Sequence, residues 1–332
     1  MNEFRLPLGD VAEAVIDVLT DALGALFDVI RAVFAGFYDL VDVILSTPPF
    51  WAVILVIAAI AWFAKGWKLA VGTAVGLLVI VGVDQWENAM DTLALVLVSS
   101  AIAVVIAIPL GILAARNDVA SRVIRPILDF MQTMPAFVYL IPALILFRVG
   151  VVPGIVATIV FAMAPGVRLT ELGIRGVDRE VVEAGYAFGS SPSRILRQIQ
   201  LPLAMPSIMA GVNQVIMLSL SMVVIAGMVG AGGLGGDVVQ SLTRIDVGLG
   251  FEAGLSVVIL AIVLDRITGA FGGGRTTRSF RSRRADAASA RRTDASPATP
   301  TTDAAAATDL AETDGSGLAL KHSAVKSPVG SK

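Results

Sequence analysis

The sequence predicts an all-α, polytopic membrane protein with about seven transmembrane helices. Of its 332 residues, 56% are hydrophobic and only 16% are charged, whereas about 25% are charged in an average soluble domain. The mean hydropathy is +0.81. Long segments such as Trp51–Phe63 and Leu93–Ala115 contain no charged residue, which is typical of helices that cross a bilayer.

The composition also excludes several classes of function. A net charge of −2 gives no reason to expect a nucleic-acid partner, and the absence of cysteine excludes disulfides and thiolate metal sites. The only histidine, His322, lies in a polar tail. No G-x-x-x-x-G-K-[ST] segment is present, so no phosphate-binding loop is predicted. We therefore expect no cofactor, no metal site and no catalytic residue in this chain.

Residues 1–47 predict an amphipathic helix that precedes the spans. At about 100° per residue, five aspartates fall within about 40° of one another, while most of the remaining surface is apolar. They are Asp10, Asp17, Asp21, Asp28 and Asp39. Gly24 and Gly36 are the positions where this helix could break. The pattern fits either a helix packed in the bundle or one that lies in the membrane interface.

Seven apolar segments predict the spans. They are Phe50–Ala64, Leu69–Val83, Thr92–Ala115, Ile124–Phe147, Val149–Thr170, Leu203–Val229 and Phe251–Ile267. Several are shorter than the roughly 20 residues that usually cross a bilayer, so their ends could shift by a few residues. On this count residues 48–87 hold two accessory helices and residues 88–270 hold a core of five.

Four basic clusters predict the orientation. They are Lys65/Lys68, Arg116/Arg122/Arg125, Arg175/Arg179/Arg194/Arg197 and Arg275/Arg278/Arg281, and seven spans put all of them on one side. The positive-inside rule assigns that side to the cytoplasm, so residues 1–47 lie outside. Residues 271–332 lack large apolar side chains and predict a disordered cytoplasmic tail. Its basic start either rests against anionic headgroups or is simply solvated.

The polar loop at residues 176–202 predicts a helix–turn–helix between the fifth and sixth spans. Asp178 is suited to cap a first helix and Gly189 to end it. Ser191 is suited to cap a second helix with Pro192 in its first turn, and Pro202 would follow that helix. A loop that only connected two spans would not need two short helices, and a rigid loop can transmit force.

This loop resembles the cytoplasmic docking loop of ATP-binding-cassette (ABC) importer permeases of bacteria and archaea. The family pattern is E-A-A, three residues, G, nine residues, I, one residue, L-P. The sequence matches it at Glu183, Ala184, Gly189, Ile199, Leu201 and Pro202, and departs from it only at Gly185. The resemblance implies a type I permease core in which these residues form a coupling helix that seats on a separate ATPase subunit.

A second likeness concerns the cargo. Residues 131–142 and 164–170 are similar to the permeases of glycine betaine and proline betaine importers. This resemblance implies transport of a compatible solute, with choline, carnitine or an amino acid as alternatives. It also implies an extracytoplasmic solute-binding protein, an ABC ATPase and a second permease copy as partners, with lipid around them, and alternating access as the mechanism.

The predicted fourth span contains a candidate wall of the transport pathway. Prolines at membrane depth interrupt the helical hydrogen bonds, and the freed carbonyls need protein or water nearby. Soft and aromatic side chains in the same segment could attract a quaternary ammonium. The candidates are Met131, Met134, Pro135, Phe137, Tyr139 and Pro142. A packing kink with ordinary core residues fits the same pattern.

Three further features complete the interpretation. Arg168 and Glu171 lie three residues apart on one helix face and predict either a local pair or anchors of the loop. Residues 230–235 fit G-x-G-x-x-G, but they follow a span and predict a turn at the outer face rather than a dinucleotide site. A stand-alone carrier would be expected to have paired ionisable residues at mid-membrane. The sequences of the central spans contain no such pair.

Overall fold

The computed structural model describes residues 8–272, and every regular element in that range is a helix. The predicted all-α class is therefore confirmed for these residues. Residues 1–7 and 273–332 lie outside the described range. Nearly all of the predicted tail, including His322, belongs to that remainder.

Thirteen α-helices and one π-helical turn follow one another along residues 8–272. The helices are α1 (Leu8–Ser46), α2 (Phe50–Lys65), α3 (Trp67–Gly82), α4 (Trp86–Arg116), α5 (Asp118–Thr133), α6 (Ala136–Phe147), α7 (Val151–Arg175), α8 (Arg179–Ala187), α9 (Pro192–Ile195), α10 (Leu201–Ser221), α11 (Val223–Gly227), α12 (Gly233–Arg244) and α13 (Val247–Gly272). The π-helical turn, Leu196–Gln200, joins α9 to α10.

The number of spans differs from the sequence-based count. Within the described residues, four helical segments are long and apolar enough to cross a membrane: α4, α7, the stretch from α9 to α11, and α13. Two bent pairs, α1 with α2 and α5 with α6, raise the total to six if each pair is one span. The predicted count of seven is therefore not confirmed. Helices α2 and α3 have 16 residues each, about 24 Å at 1.5 Å per residue.

The predicted fourth span, Ile124–Phe147, is two helices rather than one. Helices α5 and α6 meet at 98°. The break lies at Met134, whose backbone is extended at φ −71° and ψ 136°, because a residue that precedes proline is driven out of the α-helical conformation. Pro135 then occupies the N-cap position of α6. The segment therefore turns sharply instead of crossing as one kinked helix.

Helix α7 lies at the centre of the bundle, between α4 and α10. A Cβ atom added to Gly111 of α4 would lie 2.5 Å from the Thr170 Cβ of α7, and one added to Gly173 of α7 would lie 2.8 Å from the Ser207 Cβ of α10. Small residues at such crossings let helix backbones approach closely. Helices α4 and α7 run parallel, and we call their shared C-terminal end the loop end, because α8 follows there.

The opposite end, which we call the far end, is closed by the turn between α11 and α12. A Cβ atom on Gly227 would lie 2.3 Å from the Gly235 carbonyl carbon, so α11 and α12 touch backbone to backbone. Thr92 Oγ1 of α4 accepts a hydrogen bond of 2.9 Å from the Leu234 N–H, and Asn88 donates one of 2.7 Å to Asp237 of α12. The first half of the G-x-G-x-x-G segment is therefore the expected turn between packed helices, and Gly233–Gly235 begin α12. Its place at the outer face stays a prediction.

Helix α1 runs unbroken through Gly24 and Gly36 and has three faces. One face packs on the bundle through Phe34 and Tyr38 and through Phe27, whose ring lies edge-on to Phe147 at 5.6 Å. The aspartate stripe of residues 10, 17, 21, 28 and 39 is exposed. A third face exposes large apolar side chains, among them Val29, Phe37 and Leu40. With α2 turned away by 102°, α1 both packs on the bundle and carries an outward apolar surface.

Candidate functional site

The first helix of the loop, α8, has the ends that local sequence signals predict. The Asp178 carboxylate accepts a hydrogen bond of 3.0 Å from the Glu180 N–H and so caps the start of the helix. Gly189 has a φ of +75°. Its N–H donates to the Tyr186 carbonyl at 2.9 Å, and the Ser190 N–H donates to the Gly185 carbonyl at 3.1 Å. These two bonds form a Schellman motif, which ends α8 firmly.

The second helix of the loop does not stop where the sequence suggested. Ser191 occupies its N-cap position, but its hydroxyl makes no capping hydrogen bond. The chain continues from α9 through the π-helical turn into α10, and Pro202 lies inside this 36-residue helical stretch. The expectation that Pro202 follows the helix is therefore wrong. A π-helical turn widens the backbone ladder, which lets a residue without an N–H be accommodated in the helix.

Gly185 is the contact point between the two halves of the loop. It is buried, and a Cβ atom there would lie 2.9 Å from the Ile199 Cδ1 and 3.4 Å from the Ile195 Cγ1. The one departure from the family pattern thus falls where α8 crosses the second half of the loop. Glu183 and Ala184 are exposed beside it. A helix held in this way presents a fixed outer surface.

The outer surface of the loop carries aromatic side chains that the sequence reasoning missed. Phe188 is 91% exposed and Tyr186 is 52% exposed, although both lie in an otherwise polar segment, and Tyr186 also lines the cleft behind the loop. Exposed aromatic residues on a rigid element are typical anchors of a protein interface. Their position within the three residues before Gly189, at the end of the first loop helix, is the signal that could have identified them.

Behind the loop lies a cleft of about 620 Å³. It is bounded by the loop ends of α4 and α7 on one side and by α8 and the π-helical turn on the other, with Arg116, Arg175, Glu183 and Gln200 in its wall. Part of the inner side of α8 therefore faces a polar space, while Val182 in mid-helix packs against a buried cluster that includes Ile174 and Leu196.

The candidate pathway residues lie around the break between α5 and α6. Met131 and Tyr139 are brought together, since the Tyr139 hydroxyl donates a hydrogen bond to the Met131 carbonyl. Met134 is partly buried and Phe137 is about half exposed. Pro142 lies inside α6. The candidates thus share one region of the structure, which is separate from the coupling loop.

Arg168 and Glu171 do not form the local pair that was one of the two expectations. Each pairs with a residue of α5 instead: Arg168 with Asp129, and Glu171 with Arg125 at 2.8 Å. The alternative, that they anchor the loop, stays a prediction, since both of these contacts are with α5.

Comparison with known proteins gives a consistent result. Residues 107–274 match the family described as binding-protein-dependent transport system inner membrane component. The chain is 46% identical over 264 residues to the glycine betaine transport system permease protein OpuAB of Bacillus subtilis, covering 80% of this chain and 94% of that protein. It is 50% identical over 261 residues to the glycine betaine/proline betaine permease protein ProW of Escherichia coli, covering 76% and 73%.

A solved structure supports the fold of the core. An inward-facing crystal form of the MetNI methionine ABC transporter contains a chain that is 25% identical and superposes with a TM-score of 0.52. The match covers 56% of this chain and 95% of the other. The similarity therefore extends over little more than half of this chain.

Proposed function

Because the chain belongs to the family of binding-protein-dependent transport system inner membrane components, and is thus a multi-pass permease component with a role in transport, we propose that it carries a compatible solute such as glycine betaine or proline betaine. The relatives that support this cargo are the glycine betaine and proline betaine permease proteins. A relative described as a glycine betaine/carnitine permease protein, GbuB of Listeria monocytogenes, is 48% identical over 270 residues and keeps carnitine as the second candidate.

The loop at residues 176–202 couples this permease to an ABC ATPase, which hydrolyses ATP in a separate chain. The observation that carries this role is the geometry of α8, which is capped at Asp178, closed at Gly189 and packed at Gly185. A helix held at both ends can transmit a displacement, whereas a flexible loop would absorb it. The coupling residues are Glu183, Ala184, Gly185, Gly189, Ile199, Leu201 and Pro202, and Tyr186 and Phe188 add exposed aromatic surface.

The remaining partners follow from the family. A solute-binding protein delivers the cargo from outside, and a second permease copy completes the pathway, so that the complex works by alternating access within the lipid bilayer. The candidate pathway segment is the break between α5 and α6, with Met131, Met134, Pro135, Phe137, Tyr139 and Pro142. Pro142 frees the carbonyl one turn earlier in α6, and this carbonyl and the aromatic faces nearby suit weak contacts with a quaternary ammonium.

The loop end faces the cytoplasm in this proposal, and the aspartate stripe of α1 faces outward. The organisation is then an extracytoplasmic amphipathic helix (1–47), accessory helices (48–87), a permease core (88–270) and a cytoplasmic tail (271–332). Because the chain has no cysteine, a single introduced cysteine reports its side directly. A membrane-impermeant maleimide should label Asp17→Cys in intact cells and Ser191→Cys only after permeabilisation. The reverse labelling pattern would refute the orientation.

The function is tested by uptake into proteoliposomes. We expect radiolabelled glycine betaine to accumulate only when the permease, an ATPase subunit, a binding protein and ATP are all present, and competition by choline or carnitine reports the breadth of the cargo. Uptake by this chain alone would show a stand-alone carrier instead. ATP-driven uptake of another solute with no competition by betaine would overturn the cargo but not the coupling.

A further inference from the structure

Helices α5 and α7 face each other through a ladder of three ion pairs. Asp118, Arg125 and Asp129 of α5 alternate in sign, and Arg175, Glu171 and Arg168 of α7 alternate in the opposite sense. The pairs are Asp118–Arg175 at 2.7 Å, Arg125–Glu171 at 2.8 Å and Asp129–Arg168. Within each set the residues are three, four or seven positions apart, which puts them on one helix face. The order of the pairs shows that the two helices run antiparallel with complementary charge.

The central pair of this ladder is built around a buried carboxylate. Glu171 is only 3% exposed. It accepts hydrogen bonds from the Ser121 hydroxyl at 2.7 Å and from Arg125 at 2.8 and 3.3 Å, and the Arg175 Nε lies 3.0 Å from it. A buried charge needs such a set of partners, because removing one leaves it uncompensated. The contact is therefore specific in geometry on the Glu171 side, whereas the Arg125 side chain is 58% exposed.

The ladder lies where the coupling loop is attached to the bundle. Arg175 is the last residue of α7, three positions before the Asp178 cap of α8. Besides its contacts with Asp118 and Glu171, Arg175 donates a hydrogen bond of 2.8 Å to the Ala114 carbonyl at the end of α4. The ends of α4, α5 and α7 are thus held together beside α8. At the other end of α5, Asp129 precedes the break that contains the candidate pathway residues.

We propose that this ladder, with Glu171 at its centre, is the mechanical connection between the coupling loop and the bent pair of helices α5 and α6, which we call the α5–α6 arm. The inference rests on the proposed coupling function of α8. When the ATPase displaces α8, the pull reaches the end of α7, and the ladder makes α5 move with it. The break at Met134 then acts as the joint where the arm changes its angle. Glu171 acts as a positioning residue that contacts neither cargo nor ATP.

The test is Glu171→Gln in the reconstituted complex, read as the number of solute molecules moved per ATP hydrolysed. Glutamine keeps the size of the side chain but removes the charge that holds Arg125 and Arg175. We expect this ratio to fall by roughly 2- to 30-fold, which corresponds to the about 0.5–2 kcal/mol by which changes along a coupling network can alter coupling. A merely structural role would lower the amount of assembled complex and both activities together, leaving the ratio unchanged.

Two further variants keep the test decisive. Glu13→Gln is the matched control, since it makes the same chemical change on the exposed surface of α1, and it should leave the ratio unaltered. Arg168→Gln removes a pair that is partly solvated, with Arg168 41% exposed and Asp129 64% exposed. This variant should therefore fold and assemble even if Glu171→Gln does not. Its ratio should also fall, by a smaller factor.

The outcomes separate this inference from the proposed function. If the wild-type complex shows no ATP-driven uptake, the proposed function itself is wrong. If the wild-type complex is coupled and either ladder variant assembles with the wild-type ratio, the ladder does not transmit the movement and the inference is overturned. A raised ATPase rate with lost uptake in Glu171→Gln is the clearest supporting result.

Discussion

The turn at Gly189 offers the sharpest test of the coupling loop. Its φ of +75° lies in the left-handed region, and a Cβ atom there would meet nothing within 4 Å. A substitution therefore strains the backbone without disturbing the permease's own packing. An ordinary L-residue in this conformation costs about 1–2 kcal/mol, which lowers the equilibrium constant between the native turn and its alternatives by roughly 5- to 30-fold.

Three substitutions at this position separate backbone strain from side-chain size. Asparagine tolerates the left-handed conformation, so Gly189→Asn should retain most of the uptake. Gly189→Ala and Gly189→Val should lose it by about the factor given above, with valine the worse because it is β-branched. The measurements are ATP-driven uptake in proteoliposomes and the affinity of the purified ATPase subunit for the permease. Membrane abundance of each variant serves as the control for insertion.

The rank order decides between the explanations. If backbone strain decides, uptake is highest for Gly189→Asn, lower for Gly189→Ala and lowest for Gly189→Val. Steric exclusion of the ATPase alone would give Ala above Asn, since alanine is the smaller residue, and that order would refute the role assigned to the turn conformation. Normal uptake by Gly189→Val would count against any docking role for this loop.

Substitutions at two other glycines test close packing. Gly185→Ala should bind the ATPase almost as well as the wild type, because the flexible end of Ile199 can move from the added Cβ at 2.9 Å, whereas Gly185→Leu should separate the two halves of the loop and lose binding. Gly227→Ala should lower the melting temperature in detergent by an amount equivalent to about 1–3 kcal/mol, since its Cβ would lie 2.3 Å from backbone. Its control is Gly254→Ala, where nothing lies within 4 Å; equal melting temperatures would contradict the close contact.

The coupling loop could be predicted well because its signals are local. An aspartate before a helix and a glycine after it act within one turn of chain, so Asp178 and Gly189 mark the ends of α8 in the structure as in the sequence. Pro202 misled the same reasoning, because its effect depends on whether the preceding turn is α or π. That choice depends on tertiary packing, in which α9 and the π-helical turn contact α8 while α10 packs against α7.

The α1 helix, too, was predictable in its local features but not in its packing. Its acidic stripe follows from a period of 3.6 residues and is exposed in the structure. The sequence left open whether α1 packs on the bundle or lies in the membrane interface. Phe34 and Tyr38 pack on the bundle, and a place in the interface stays a prediction. Which apolar face packs depends on where the far ends of α4, α6 and α7 lie, and no local pattern carries that information.

The sequence by itself determined the all-α class, the family and the bounds of α8, because hydropathy, cap residues and a motif of fixed spacing are read over short distances. The tertiary structure decided the bend between α5 and α6, the continuation through Pro202 and the pairing of Glu171 with α5 rather than with Arg168. Charged residues on a helix choose partners by which helix lies opposite. Residues 46 positions apart in the chain, such as Arg125 and Glu171, meet only after the bundle has packed.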